Sequence, residues 1–302
     1  MPTTAFNPEK DMPDMSGKVI LITGGTAGLG AETARRLAKQ SPAHIYISGR
    51  NAAAADKVIQ QIRQAGSKTV VTFLKCDLAS LDSVRHAAER ILTHESRLDI
   101  LMCNAGIMAV PPGLTTDGYE IQFGTNHLGH ALLIRKLLPL LETTAAAADV
   151  RIIILTSLGY KFARGMNFDE VRSVQEGTLG SWMRYGRSKL ANLLYARELA
   201  RHYPALTSVS LTPGVVNTGL VENLGLFNRA FVYLTTLGQV QKTEEGAYNQ
   251  LWAVSAPKNS LQNGQFYEPV GVLSNKLSEA AKDANLARQL WEWTEDAIKA
   301  YL

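Results

Sequence analysis

Apolar residues come along this chain in short, dense runs, separated by longer stretches whose apolar positions recur at helical spacing. The first run, Val19-Ile20-Leu21-Ile22, is rich in β-branched residues and stops at Thr23-Gly24-Gly25, which is how a buried parallel strand ends in a turn. Ala31 to Lys39 then reads as a helix. The alternation continues with a strand at Ile45-Tyr46-Ile47, a helix from Ala52 to Gln64, a strand from Val70 to Leu74, a helix from Leu81 to Thr93 and a strand from Leu98 to Met102. The second half repeats it: a helix at about Gly118 to Leu138, a strand at Val150 to Leu155, a helix at about Met183 to His202, and strands at Ser208 to Leu211 and near Gln265 to Val270. Strands alternating with helices predict a single doubly wound α/β domain over residues 1–302, with a mostly parallel seven-stranded sheet covered on both faces. Residues 1–15 read as a flexible N-terminal extension, 215–241 as an irregular segment, and 278–302 as a helical tail carrying Trp291, Trp293 and Tyr301.

Composition narrows the partners more than the fold. With 302 residues, 46% apolar and 19% charged, the chain can bury one large core, which excludes disorder and a disulfide-stapled mini-fold. Its net charge of +4 comes from Lys and Arg dispersed along the chain, so no basic run tracks a nucleic acid. Cys76 and Cys103 leave room for one disulfide at most, and neither they nor His127, His130 and His202 show metal-ligand spacing; no metal site is expected. Met1 to Asp14 has no apolar core of a secretory signal, and Ala131 to Leu141 is interrupted by Arg135, Lys136 and Pro139, so no stable membrane span is expected. These features predict a cytoplasmic protein.

Thr23-Gly24-Gly25-Thr26-Ala27-Gly28-Leu29-Gly30 lies between the first strand and the first helix, where glycines let the backbone turn sharply and approach a pyrophosphate. A dinucleotide-binding Rossmann fold follows from that position. The spacing Gly24-x-x-x-Gly28-x-Gly30 is wider at the front than G-x-G-x-x-G, and it resembles the T-G-x-x-x-G-x-G hallmark of the short-chain dehydrogenase/reductase family. After the second strand, Ser48-Gly49-Arg50-Asn51 has no acid for a ribose 2′-hydroxyl. Arg50 can instead pair with a 2′-phosphate, helped by Thr26 and Asn51, which favours NADP(H). The resemblance further implies that Asp77-Leu78 contacts adenine and that Asn104-Ala105-Gly106 is the family's N-A-G motif.

Tyr185 and Lys189 stand four residues apart near the start of a helix, hence on one face, where an ammonium favours phenolate and lowers the phenol's pKa toward a working range. Ser157 follows the fifth strand, at the sheet edge where open α/β sheets bind ligands. In the order Asn126, Ser157, Tyr185, Lys189, these residues resemble the family's catalytic tetrad. The resemblance implies that Tyr185 exchanges the proton, Ser157 hydrogen-bonds the substrate oxygen, Lys189 binds the nicotinamide ribose and Asn126 holds a proton-supplying water chain. Pro213-Gly214-Val215-Val216-Asn217-Thr218 is similar to the family's P-G-x-x-x-T segment, which brings Pro213, Gly214, Val216 and Thr218 to the cofactor. A long Ser157 to Tyr185 interval, Asn126-His127-Leu128-Gly129-His130 and Ser188-Lys189-Leu190-Ala191-Asn192 resemble the retinol dehydrogenase and WW-domain oxidoreductase branch.

The substrate side is apolar. Met108, Phe162, Trp182, Phe227 and Phe231 are the candidate wall residues, with 215–241 as a lid over a lipophilic substrate. The same apolar residues would also suit a core, a subunit contact or a membrane surface. Together these readings predict an NADPH-dependent oxidoreductase reducing a lipophilic or aromatic ketone or aldehyde. The alternatives are an NADP-dependent alcohol dehydrogenase of the retinol type and a non-catalytic NADP(H)-binding interaction or sensor protein. The family resemblance also implies a homodimer or homotetramer through the helices at about Gly118 to Leu138 and Met183 to His202.

Overall fold

The first strand, β1 (Val19–Thr23), is buried at every position because layers cover both faces of the sheet. Val19 and Leu21 enter one core and Ile20 and Ile22 the other, as the period-2 alternation of a strand requires. The structure, a computed structural model, describes residues 6–175, 180–217 and 241–302. β2 (His44–Gly49), β3 (Val70–Lys75), β4 (Ile100–Cys103), β5 (Arg151–Leu155), β6 (Thr207–Leu211), β7 (Phe266–Glu268) and β8 (Val272–Leu273) complete an eight-stranded sheet in the order β3-β2-β1-β4-β5-β6-β7-β8. All neighbours are parallel except β7 and β8. The expected seven strands thus gain an antiparallel eighth, a two-residue return too short to leave a periodic signal.

Helices α1 (Gly28–Ala38), α2 (Ala52–Gln64) and a helix unforeseen from the sequence, Tyr248–Ser255, share the core of one face. On the other lie α3 (Leu81–His94), α4 (Gly129–Ala145) and α5 (Gly180–His202). The helix expected from Gly118 starts later, because Gly118 has φ +79 inside a turn. A short helical turn, Ile121–Phe123, passes through a π turn, Gly124–Leu128, into α4. α4 also runs beyond its expected end at Leu138, carrying Pro139 inside it.

A third layer covers the second face. The C-terminal helix Ala284–Ile298 lies on α5 and α4: Trp291 stacks on Tyr195 and His202, Thr294 Oγ1 is 3.0 Å from His127 Nε2, and Glu295 pairs with Arg135 at 2.9 Å. It therefore covers part of the two helices that the family resemblance offered for subunit contacts. At the other end, residues 6–15, the described part of the expected N-terminal extension, lie against the domain: Met12 and Met15 are buried, and Arg36 holds Glu9 at 2.6 Å. Cys76 and Cys103 are both free and buried, so they form no disulfide. Among the described residues no helix is long and apolar enough to cross a membrane, and no cluster of His, Cys, Asp or Glu is built to hold a metal.

Candidate active site

Every motif singled out from the sequence within the described residues falls at the C-terminal edge of the parallel strands. The strand order reverses between β1 and β4, which opens a crevice there. Gly24 turns out of β1 with φ +65, and Gly28 opens α1 with φ +51, both in the left-handed region that favours glycine. A Cβ on Gly30 would overlap Gly24 O and come within 2.5 Å of Asn104 Nδ2, so only glycine lets α1 start this close to the β1 and β4 ends. α1 also begins without a side-chain cap at Ala27 and without an acid in its first turn, whereas Asn51 caps α2 and Ser80 caps α3. Uncapped opening amides of Gly28, Leu29 and Gly30 at the positive end of a helix fit a pyrophosphate.

Arg50 is exposed at the end of β2, and Thr26 lies against the backbone of Gly49, where a Cβ would be 2.9 Å from its Oγ1. Asn51 is occupied as a cap, accepting from Ala54 N at 3.0 Å. Asp77 turns its carboxylate back on Ala79 N, and Leu78 is buried against the start of α4. Asn104 does a joining job: its Nδ2 donates to Thr23 O at 2.8 Å, and its Oδ1 accepts from Gln250 Nε2 at 3.3 Å. Gly214 has φ +84, Val216 bridges to Gln241, and Pro213 and Gly214 sit half-buried beyond β6. Thr218, Phe227 and Phe231 lie outside the described residues.

The four candidate catalytic side chains converge. Lys189 Nζ lies 5.8 Å from the centroid of the Tyr185 ring and donates to Leu155 O at 3.1 Å. The Tyr185 ring and Ser157 Oγ both border Gly159, where a Cβ would lie 3.0 and 3.4 Å from them, so glycine lets the two approach. Asn126, wholly buried in the π turn, accepts from Ile107 N at 2.8 Å and donates to Ile107 O and to Ser188 Oγ, both at 2.9 Å. Ser188 Oγ donates in turn to Tyr185 O at 2.8 Å, which ties Asn126 to the helix of Tyr185. A Cβ on Gly106 would come within 3.2 Å of Asn126 Oδ1 and 3.3 Å of Lys189 Nζ, so the glycine leaves both of them room.

Burial pushes the Tyr185 phenol up, with the neighbouring Ser157 hydroxyl opposing it, and burial pushes the Lys189 ammonium down to about 8. This differs from the sequence expectation of a phenol lowered by its lysine: in the buried site desolvation is the larger influence on the phenol.

Sequence reasoning passed over Thr23 and His130. His130 Nδ1 lies 2.9 Å from Asn126 O, which can only accept, so Nδ1 carries the proton and Nε2 accepts from Thr23 Oγ1 at 2.8 Å. Thr23 Oγ1 accepts in turn from Asn104 N and Ala105 N at 2.9 and 3.0 Å. Burial holds His130 down to about 4, so it bridges as a neutral ring. The i, i+4 spacing from Asn126 was the available signal.

Around Tyr185 the surroundings are apolar. Ala109, Trp182 and Tyr185 form one buried cluster with Met108 and Val215 packed against it; Trp182 meets Tyr185 edge-on at 6.3 Å and Phe162 at 6.2 Å. Met108, Trp182 and Phe162 are thus brought together beside the phenol.

An open α/β crevice with a glycine-cradled helix start and a converging Tyr–Lys–Ser–Asn group defines a nicotinamide-dinucleotide-dependent oxidoreductase. The comparisons agree. The short chain dehydrogenase family model matches residues 18–166. An uncharacterized oxidoreductase of Schizosaccharomyces pombe is 36% identical over 97% of this chain and 87% of its own length. Retinol dehydrogenase 14 of Mus musculus is 35% identical over 93% of this chain and 86% of its own length. A crystal structure of a Mycobacterium paratuberculosis protein superposes with a TM-score of 0.77 at 30% identity, over 98% of each chain. The chain belongs to the short-chain dehydrogenase/reductase family, in its retinol dehydrogenase-like branch.

Proposed function

We propose that this protein is an NADPH-dependent reductase of lipophilic or aromatic ketones and aldehydes. The observation that carries the reading is the burial of Tyr185 among Trp182, Ala109 and Met108, with Ser157 across Gly159 from its ring and Lys189 beside it. The amides of Gly28, Leu29 and Gly30 would hold the pyrophosphate, Asp77 and Leu78 would border the adenine, and Ala105, Gly106, Pro213, Gly214 and Val216 would border the nicotinamide end. Arg50, with Thr26 beside it, would hold a 2′-phosphate. Lys75, exposed and the register partner of Gly49, adds a second cation next to Arg50. Bound there, NADPH supplies the hydride that reduces the carbonyl carbon.

The chain's own residues supply the proton and the orientation. Tyr185, its phenol raised by burial, keeps its proton at neutral pH and donates it from Oη to the carbonyl oxygen, which completes the alcohol. Ser157 Oγ donates a hydrogen bond to that same oxygen and fixes its position. Lys189, charged below about 8, binds the ribose hydroxyls and stabilises the phenolate left on Tyr185 until water returns a proton beside Asn126. The apolar cluster excludes water from the reacting carbonyl. The free thiols Cys76 and Cys103 support a reducing, cytoplasmic setting for this activity.

The test is NADPH oxidation, and separately NADH oxidation, by the purified protein against a panel of aromatic and long-chain ketones and aldehydes. Turnover is expected with NADPH, and Tyr185→Phe is expected to lower kcat by about 100-fold or more. Tight NADPH binding with no turnover of any carbonyl would overturn the reading. The likeness to a retinol dehydrogenase favours one second reading, oxidation of a lipophilic alcohol with NADP+, which the same protein assayed in the reverse direction decides.

A further inference from the structure

Two buried histidines stand within one turn of each other at the entry to α4, and they reach different layers of the fold. His127 Nε2 lies 3.0 Å from Thr294 Oγ1 in the outer helix, whereas His130 Nε2 lies 2.8 Å from Thr23 Oγ1 at the end of β1. The reaction described for the site uses neither. At His130 the partners fix the direction of each bond. Thr23 Oγ1 already accepts from Asn104 N and Ala105 N, so its one hydrogen is left to donate, and His130 Nε2 takes it at 2.8 Å in preference to Met102 O at 3.4 Å. The ring proton is therefore on Nδ1, which donates to Asn126 O at 2.9 Å.

Asn126 is thus attached to the N-A-G turn at two points. Its side chain holds the downstream end, accepting from Ile107 N and donating to Ile107 O. Its main-chain carbonyl is held, through His130 and Thr23, to the upstream end at Asn104 and Ala105. One attachment would let Asn126 pivot about Ile107; the second removes that freedom. From Asn126 the line continues through Ser188 Oγ to Tyr185 O, and none of Thr23, His130, Asn126 and Ser188 is more than 2% exposed. We infer that His130 is a positioning residue that sets the register between the bound cofactor and the Tyr185 phenol, by locking Asn126 to the turn that borders the nicotinamide end. The inference rests on the hydride-transfer reading of the site. His130 touches no reacting atom, but a hydride donor and a proton donor must meet one carbonyl group together, and a misplacement of about 1 Å between them can cost on the order of 100-fold in rate.

The experiment measures the single-turnover rate of hydride transfer at saturating NADPH, and the Kd for NADPH, in the wild type, His130→Asn, His130→Gln and His127→Gln. The carbonyl substrate is one that the wild type reduces. Asparagine can still donate from the Nδ1 position to Asn126 O but falls short of Thr23, and glutamine can reach Thr23 but gives up the Nδ1 donor, so each keeps half of the bridge and guards against misfolding. Both are expected to slow hydride transfer by about 10- to 100-fold while Kd for NADPH stays within about twofold. His127→Gln, which alters a neighbouring buried ring tied to the outer helix, is expected to transfer hydride within about twofold of the wild-type rate. A wild-type rate in either His130 variant, a loss of NADPH affinity as large as the loss of rate, or an equal slowing by His127→Gln overturns the inference and leaves the reductase reading standing. A wild type that binds NADPH and transfers hydride to no carbonyl overturns the reductase reading, and this inference with it.

Discussion

Arg50 stands exposed at the end of β2 with no hydrogen bond or ion pair to a described residue, and Gly49 and Asn51 on either side leave it without an acidic neighbour in the chain. A guanidinium so placed contributes little to folding and is available to a phosphate. Arg50→Ser is expected to raise KM for NADPH by about 10- to 100-fold, the worth of one charge-assisted pair, while KM for NADH moves less than about twofold. Steady-state kinetics with both cofactors check this, and an equal effect on the two would remove Arg50 from the 2′-phosphate. At this scale the tetrad was legible because residue type and spacing carry it: Tyr185 and Lys189 need only a helix to share a face. The ties that hold the loop beside it were not. Gln122 reaches Ala109 and Ser181, 13 and 59 positions away, and Arg184 reaches Val110 across 74, so only the folded chain reveals what these polar side chains hold.

α4 shows how an element can be foreseen in kind and missed in detail. Its apolar periodicity announced a helix, but the entry through a π turn follows from packing that no local pattern records. There the chain widens by one residue to present Asn126 to Ile107 and Ser188. Gly129 then crosses the exit of β3 so closely that a Cβ would lie 2.5 Å from Leu78 O. Gly129→Ala is expected to destabilise the protein by about 1–3 kcal/mol, read as a lower midpoint in urea at an unchanged m value. A midpoint equal to the wild type's would mean that α4 shifts freely. At its other end α4 outlasts its expected limit at Leu138: it continues through Pro139 to Ala145, with Leu140 and Leu141 buried beyond the proline, because tertiary packing offsets the lost hydrogen bond.

Seen whole, the sheet has two edges with different duties. The chemistry gathers at the C-terminal ends of the strands, and at the N-terminal ends a buried carboxylate knits β1 to β4. Asp99 accepts from Val19 N at 3.0 Å, Lys18 Nζ at 2.9 Å and Arg97 Nη2 at 2.6 Å. Burial works to raise its pKa, and the hydrogen bonds from Arg97, Val19 and Lys18 outweigh it and hold the carboxyl below its ordinary value. A depressed folded-state pKa contributes stability that is present above the unfolded value near 4 and lost as pH falls through the folded one. Asp99→Asn is therefore expected to cost roughly 2 kcal/mol at neutral pH. The gap from wild type should close as pH drops below about 4, and a gap constant from pH 7 to pH 3 in chemical denaturation would contradict this. The layer over α5 has its own consequence, in time. The helix Ala284–Ile298 leaves the ribosome roughly 100 residues after the aromatic face of α5 that it covers, a delay of several seconds at about 5–20 residues per second. Until then Tyr195 and His202 lack Trp291 above them. A nascent chain that stops short of this helix leaves both rings uncovered, an aromatic face open to chaperones and proteases until Trp291 closes over it.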